Sequence, residues 1–174
     1  MSLVLSGDSP SFSGTYQGGT LTLGTAQNTT SGTAIDFTGI PSWVKRITVM
    51  LNGVSTTGTS NLMLQLGSGT IDTSGYVSGA SQINSTGSTI VSSTAGLIAT
   101  GSNSATSSLQ GAISISLLSG NTWVGQSSLW NTALVNNVGS GGKTLSNLLD
   151  RVRLTTVNGT DAFDAGSVNI LYEG

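Results

Sequence analysis

The stretch Ile113-Ser114-Ile115-Ser116-Leu117 alternates strictly between apolar and polar residues, and Ser119-Gly120-Asn121 connects it to Thr122-Trp123-Val124. Successive side chains of a β-strand point to opposite faces, so this alternation gives the strand one apolar face. A glycine between small polar residues is typical of a turn. The stretch therefore predicts a β-hairpin whose two strands share a buried face.

Similar strand-like runs, separated by turn residues, recur on both sides of this hairpin. After one of them, Asn52-Gly53 predicts a two-residue hairpin turn, because both residues tolerate a positive φ. Residues 73–111 and 136–144 are poor in strand-forming residues, apart from one buried candidate at 96–99. Helical periodicity is nearly absent, and residues 145–149 would form at most a short helical turn or lead into a strand. The other predicted strands are residues 20–23, 43–51, 62–66, 150–157 and 167–172.

About eight short strands without helical crossovers predict an all-β fold, an antiparallel β-sandwich of the jelly-roll type. A length of 174 residues suits one such domain. The sandwich is expected over residues 33–174. Residues 1–32 are rich in Gly and Thr and contain few large apolar groups, so they are predicted to form an extended N-terminal arm that serves for attachment.

Charge is scarce, since only 7% of the residues are charged and the formal net charge is −2. Five basic residues are too few for a nucleic-acid-binding surface. No apolar run approaches the roughly 20 residues that span a bilayer, and the N-terminus does not resemble a signal peptide, so neither membrane insertion nor secretion is expected. A surface with few charges lacks the repulsion that keeps proteins monomeric, which favours a homo-oligomer.

The chain contains no His and no Cys. It therefore cannot build a Ser-His-Asp or Cys-His arrangement, and zinc or copper sites and cofactors are not expected. Asp161 and Asp164 are the closest pair of carboxylates in the sequence. They are expected to hydrogen-bond their own loop beside Gly159 and Gly166, with a weak calcium site as the alternative. Catalysis by a carboxylate pair is the least favoured interpretation, and the protein is predicted not to be an enzyme.

Basic residues cluster at two places near strand positions. Arg151 and Arg153 would share one face of a strand, opposite Val152 and Leu154. Two interpretations stand side by side. The charges either form a solvated face that protects a strand edge, or pair with Asp36, Asp150 or Asp164 across a contact between subunits. The candidate inter-subunit residues are Lys45, Arg46, Asp150, Arg151 and Arg153.

Three tryptophans are candidates for stacking on sugars. Trp43 and Trp123 lie within strand-like runs and are expected to pack in the core. Trp130, next to Asn131, is the better candidate for a binding surface. The pair Trp130 and Asn131 is therefore the predicted binding site for a surface ligand.

Two blocks of the sequence resemble a recurrent bacteriophage module. They are residues 35–55 (IDFTGIPSWVKRITVMLNGVS) and residues 149–173 (LDRVRLTTVNGTDAFDAGSVNILYE). Both are similar to segments of phage and prophage proteins described as tail-fibre-like or as virion proteins, and the resemblance covers about residues 33–174. It implies a virion structural protein that is made in the cytoplasm of the bacterial host and exposed on the particle surface.

The resemblance leaves more than one role open. A tail-fibre or receptor-binding protein would form a homo-oligomer, with a trimer implied by the phage resemblance, and its Ser-, Thr-, Asn- and Gly-rich loops would face a host surface glycan or receptor. A capsid decoration or cement protein would instead hold the phage head together. A polysaccharide depolymerase is the third alternative. Other virion proteins are expected partners in each case.

Overall fold

The structure is a computed structural model that describes residues 20–174. This part of the chain contains fourteen β-strands and no helix. The all-β prediction is confirmed. The strands are β1 Leu21–Leu23, β2 Gln27–Asn28, β3 Ala34–Thr38, β4 Arg46–Thr56, β5 Leu62–Ser68, β6 Thr70–Ile71, β7 Val77–Asn84, β8 Gly87–Ser93, β9 Leu97–Ile98, β10 Leu109–Ser119, β11 Thr122–Asn131, β12 Val135–Thr144, β13 Arg151–Thr156 and β14 Phe163–Glu173.

Two antiparallel sheets make up the described part of the chain. The large sheet has nine strands in the order β1-β14-β4-β10-β11-β12-β7-β8, with β2 also paired to β14. The small sheet has the order β3-β13-β5-β6, with β9 also paired to β5. The finer prediction of a jelly roll is not confirmed. The antiparallel arrangement agrees with the sequence prediction.

One core lies between the two sheets, because alternate residues of each central strand point into it. From the large sheet, Ile47, Val49, Ile113, Ile115 and Ile170 are almost completely buried, and from the small sheet Leu62, Leu64, Leu66, Val152 and Leu154 meet them. At about 25 cal/mol per Å² of apolar surface removed from water, burial of each such side chain contributes roughly 1.5–3 kcal/mol.

The predicted hairpin of the opening stretch is confirmed. β10 and β11 pair with Leu117 opposite Trp123, and Ser119 opposite Thr122, around a turn in which Gly120 has φ 52°. A positive φ costs glycine little, which explains its place in the turn. Trp123 is buried in the core as predicted, whereas Trp43 is 38% exposed beside Gly174, so its predicted burial is wrong. Trp43 lies before the first residue of β4, where the alternation of faces does not yet apply.

Asn52-Gly53 does not form the predicted hairpin turn. β4 continues through it to Thr56, and the register between β4 and β14 shifts at this point. Gly53 and Gly166 both have positive φ, and a Cβ on Gly166 would lie 2.4 Å from the Gly53 carbonyl oxygen. The dipeptide therefore supplies a β-bulge, at which two backbones approach more closely than side chains would allow.

The two regions that looked poor in strands contain three strands besides the predicted candidate near residues 96–99, and β10 begins at the end of the first region. β7 and β8 form a hairpin over residues 77–93, and β12 occupies most of the glycine-rich stretch. The short β9 confirms the buried candidate near residues 96–99. Residues 145–149 lie between β12 and β13 and form no helix.

The predicted N-terminal arm is described only from residue 20 onward; the rest of it lies outside the described residues. β1 pairs with β14 from Leu21 opposite Glu173 to Leu23 opposite Leu171, and β2 pairs with the same strand. The Thr29 hydroxyl, which is fully buried, donates to the Ala165 carbonyl at 2.7 Å. Residues 20–31 therefore belong to the large sheet, and the predicted boundary between residues 32 and 33 does not separate them from the sandwich.

Candidate functional site

Within the described part of the chain, one face of the large sheet is not covered by the small sheet. We call it the open face, and it consists of the outward-pointing residues of β14, β4, β10, β11, β12 and β7, with β1 and β8 at its two sides. The register places its central row across all these strands. In order, the row contains Leu23, Leu171, Thr48, Ser114, Gln126, Ser140, Gly79 and Ser92.

The open face is almost uncharged. Its outward-pointing strand residues contribute one ion pair, Arg46 with Glu173, whose nitrogen and oxygen are 3.3 Å apart on directly opposed residues of β4 and β14, and one further charge, Asp164, at the opposite end of β14. This pair lies at the end of both strands, and both side chains are well exposed. Hydroxyl, amide and methyl groups cover the centre, where Thr48 and Ser114 share a hydrogen bond of 3.3 Å. Electrostatic repulsion would therefore not oppose burial of this face.

Exposed apolar side chains concentrate on the open face. Of the thirteen large hydrophobic residues that are exposed within residues 20–174, eight point outward from its strands. This concentration distinguishes the face from ordinary surface, on which such residues are scattered singly. The eight are Leu21, Leu23, Val77, Ile83, Ile90, Val124, Trp130 and Val138.

Most charged side chains lie at one end of the sandwich, which we call the charged end. The hairpin turn at Gly120 and the start of β13 lie at this end. Thr20, the first described residue, is also there, because its amide donates to the Gly174 carbonyl at 2.7 Å. The charged residues of this end are Lys45, Arg46, Asp72, Lys143, Asp150, Arg151 and Glu173.

The predicted inter-subunit charges pair within the chain. Arg153 makes a two-pronged contact with Asp36, with nitrogen–oxygen distances of 2.7 and 2.8 Å across β13 and β3. Arg151 contacts its neighbour Asp150 at 2.7 Å. The Arg151 hydrogen bond is the main reason why the pKa of Asp150 lies below its usual value, with the Gly69 amide assisting. The two arginines do share the outer face of β13, opposite Val152 and Leu154, as predicted.

The remaining basic candidates are at the charged end. Arg46 contacts Glu173, and Lys45 is exposed just before β4. Exposed pairs of this kind contribute little to stability, typically about 0–1 kcal/mol. Because Arg46, Arg151 and Arg153 have acidic partners in their own chain, contact between subunits is not needed to explain the clusters.

Four loops meet at the opposite end, which we call the loop end: residues 57–61, 101–108, 132–134 and 157–162. Hydrogen bonds join them, since the Asn103 amide donates to the Ser60 carbonyl at 3.1 Å and the Asn158 backbone amide donates to the Ser60 hydroxyl at 3.0 Å. Thr132 and Ser108 exchange two more bonds, of 3.1 and 3.0 Å. Asp161 is the only charged residue in these loops. The loop end therefore presents hydroxyl and amide groups on a cross-linked framework.

The prediction that Asp161 and Asp164 bond the backbone of their own loop is wrong: the Asp161 carboxylate reaches the loop after β4, and Asp164, which lies on β14, reaches β4. Asp161 accepts from the Asn158 side-chain amide at 2.7 Å and from the Ser60 backbone amide at 2.9 Å, and these bonds keep its pKa below the usual value. Asp164 accepts from the hydroxyl of Ser55 on β4. The two carboxylates thus join the last loop to the end of β4 and the loop after it, which sequence spacing did not predict. Among residues 20–174, no three acidic side chains converge into a group that could hold a metal ion.

The structure separates the predicted pair Trp130 and Asn131. Trp130 is 48% exposed on the open face, next to the loop end, and lies in register between Gln110 and Asn136. Asn131 is buried, and its side-chain oxygen accepts from the Ala133 amide at 2.8 Å. The prediction that Asn131 is a surface residue is therefore wrong, because neighbouring residues of a strand point to opposite faces.

A buried polar cluster went unnoticed in the sequence. The Lys143 ammonium lies 2.9 Å from the Asp72 carboxylate and donates to the Ser74 carbonyl at 2.8 Å. It also lies 5.2 Å from the centroid of the Tyr76 ring, within range of a cation–π interaction. These contacts fasten the connection between β6 and β7 to β12. The residues are far apart in sequence, and no local pattern brings them together.

No protein-family model, curated protein or solved structure matches this chain. Residues 20–174 contain no helix that is long and apolar enough to cross a membrane. The two sequence blocks, residues 35–55 and 149–173, come together in the fold. The strands within those blocks are neighbours, since β3 pairs with β13 and β4 pairs with β14.

Proposed function

We propose that this protein is a structural component of a bacteriophage particle, of the tail-fibre or receptor-binding type, which acts as a homo-oligomer and contacts the host surface through its loop end. The observation that carries the proposal is the loop end itself, four Ser-, Thr- and Asn-rich loops that hydrogen bonds hold together. Preorganised loops lose little entropy on binding, and neutral hydroxyl and amide groups suit a saccharide or a polar receptor.

The position of the N-terminal segment supports this orientation. Thr20 lies at the charged end, bonded to Gly174, whereas the loops lie at the other end of the strands. Attachment to the particle through residues 1–19 would therefore direct the loop end outward. Each copy would bind weakly, and several copies on one particle would raise the overall affinity through effective concentration.

A particle assay and an adsorption assay together test the proposal. Mass spectrometry of purified phage particles should detect the protein, and added purified protein should reduce adsorption of the phage to host cells. The variant Ala105→Glu places a charge on an exposed residue of the loop end and should compete at least about tenfold more weakly, since an unpaired charge is costly to desolvate.

Ser146→Glu, an equally exposed change at the charged end, is the matched control and should compete like the wild type. Absence of the protein from the particles would overturn the proposal. Presence without competition would remove the host-recognition role and leave a virion structural role that does not face the host.

A further inference from the structure

We propose that the open face is the surface through which identical copies of this chain associate, with the open faces turned towards a common rotation axis. This inference deepens the homo-oligomeric role proposed above and rests on it. The partner is a second copy of this chain, and three observations favour that partner over an unrelated one.

The first observation is the charge pattern. Around a rotation axis, a surface that faces inward meets identical copies of itself, so an unpaired charge near the axis meets its own copy and is repelled, and one farther out needs an opposite charge elsewhere on the same face. The open face carries little charge of this kind, since Arg46 and Glu173 neutralise each other at one end and the single further charge among its described residues, Asp164 on β14, lies at the opposite end and accepts a hydrogen bond from Ser55. The outer face of the small sheet carries more charge, because Arg151 and Arg153 both lie there with their partners Asp150 and Asp36.

The second observation is the distribution of apolar groups along the rows of the face. Leu21 and Leu23 lie at the β1 side, whereas Val77 and Ile90 lie towards the β8 side, all four at least 62% exposed. Polar residues such as Thr48 and Ser114 on β4 and β10 separate the two regions, and Val124 and Val138 extend the second region towards the centre. Contact with another copy would remove both regions from water, and each fully buried side chain of this size contributes roughly 1.5–3 kcal/mol.

The third observation is size. Eight strands at about 4.8 Å spacing and about 20 Å of strand length give a face of roughly 700 Å². A standard stable interface buries about 800 Å² on each partner. Two twisted sheets pack face to face, about 10 Å apart, when their twists match. Two copies of the same sheet have the same twist and therefore fulfil this requirement.

The test places negative charge at the centre of the face. Gln126 and Ser128 are exposed neighbours on the open face of β11. We expect the wild type to be an oligomer at micromolar concentration by sedimentation velocity, and Gln126→Glu/Ser128→Glu to be a folded monomer with unchanged circular dichroism. Protonation of the added carboxylates below about pH 4 should restore the oligomer, which a folding defect would not do.

Thr38→Glu is the control, since Thr38 is an exposed strand residue on the outer face of the small sheet and lies opposite Arg151. It should remain as oligomeric as the wild type. If the double variant fails to fold, Gln126→Glu decides, because it changes charge with almost no change in shape; it should raise the dissociation constant at least about tenfold.

A folded double variant that stays oligomeric would overturn the inference, and so would a monomeric wild type or an unaltered dissociation constant for Gln126→Glu. An oligomeric double variant or an unaltered dissociation constant would leave the proposed function intact, whereas a monomeric wild type would also remove its homo-oligomeric part; detection of the protein in particles and competition for adsorption are separate measurements that test the rest. Failure of the inference and failure of the proposed function are therefore distinguishable.

Discussion

Tyr76 illustrates how single residues stabilise the sandwich. Its hydroxyl is buried, accepts from the Leu66 backbone amide at 2.6 Å and lies 3.0 Å from the Asp72 carbonyl. Burial raises the pKa of Tyr76 to about 12, because the phenolate would lose its water shell, and the nearby Asp72 charge adds to the shift. The Leu66 amide can donate to the oxygen in either form, whereas the bond that the hydroxyl donates to the Asp72 carbonyl is lost when the proton leaves.

The first prediction concerns alkaline pH. Because the pKa of Tyr76 rises from 10.0 when unfolded to about 12 when folded, its contribution to the free energy of unfolding is complete below pH 10 and is lost as the pH rises towards 12. Tyr76→Phe should lower the free energy of unfolding at neutral pH by about 1–3 kcal/mol. Between pH 10 and about pH 12, the free energy of unfolding of the Tyr76→Phe variant should fall less than that of the wild type, because the variant has no hydroxyl to ionise at this position. Urea denaturation at a series of pH values measures both effects.

Tyr172→Phe is the matched control, since Tyr172 lies at the edge of the core and is only partly buried. Its effect at neutral pH should be smaller than that of Tyr76→Phe. In a folded Tyr16→Phe/Tyr172→Phe variant Tyr76 is the remaining tyrosine, and tyrosinate absorbance that appeared at the ordinary pKa of 10.0 would contradict the explanation.

At the scale of secondary structure elements, β14 depends on neighbours from both ends of the chain. It pairs with β4 on one side, and with β1 and β2 on the other. Without β1 and β2, the backbone groups along one side of β14 would lose partners, and the Thr29 bonds to Ala165 and Gly166 would be lost. An uncovered strand edge also invites unwanted pairing.

Two truncations should therefore behave differently. Deletion of residues 2–19 should leave the free energy of unfolding nearly unchanged, because all described contacts remain. Deletion of residues 2–31 should destabilise the domain by several kcal/mol, at about 0.5–1.5 kcal/mol for each lost hydrogen bond, and should promote aggregation. Thermal unfolding and light scattering measure these effects. Equal stability of the two truncated proteins would show that β1 and β2 contribute nothing to the sandwich.

At the scale of the whole molecule, charge is segregated. The charged end holds most of the ion pairs, whereas the loop end and the open face hold almost none. Neutral surfaces associate by burying apolar groups, whereas charged surfaces associate by electrostatic attraction that salt screens. The three surfaces are therefore suited to different kinds of partner. This segregation agrees with attachment at one end, recognition at the other and self-association along the side, as proposed above.

A salt series tests this picture of self-association. If neutral open faces drive it, raising sodium chloride from about 0.1 M to about 1 M should change the dissociation constant by less than about threefold, because no exposed ion pair dominates the contact. Sodium sulfate should tighten association by strengthening apolar burial. Sedimentation equilibrium gives the constants. Dissociation in high sodium chloride would instead implicate the charged end as the interface.

Local sequence patterns were sufficient for the all-β class and for the strands with a clear apolar face. The β10–β11 hairpin was predicted correctly because its turn and its alternation lie in one stretch. The same local logic failed for β7, β8 and β12. The Ser- and Gly-rich sequences of these strands contain few apolar residues, so no hydrophobic pattern marks them. They form strands because neighbouring strands supply hydrogen-bonding partners and cover them.

The sequence by itself determined that this protein is an antiparallel β-protein with few charges, because alternation, turn residues and composition are local or summed properties. Only the tertiary structure decided which residues share a surface. Strand register brought Arg153 to Asp36, separated Trp130 from Asn131 and assembled the open face from distant segments. Register depends on long-range pairing of backbones, and a shift of one residue would exchange the two faces of a strand.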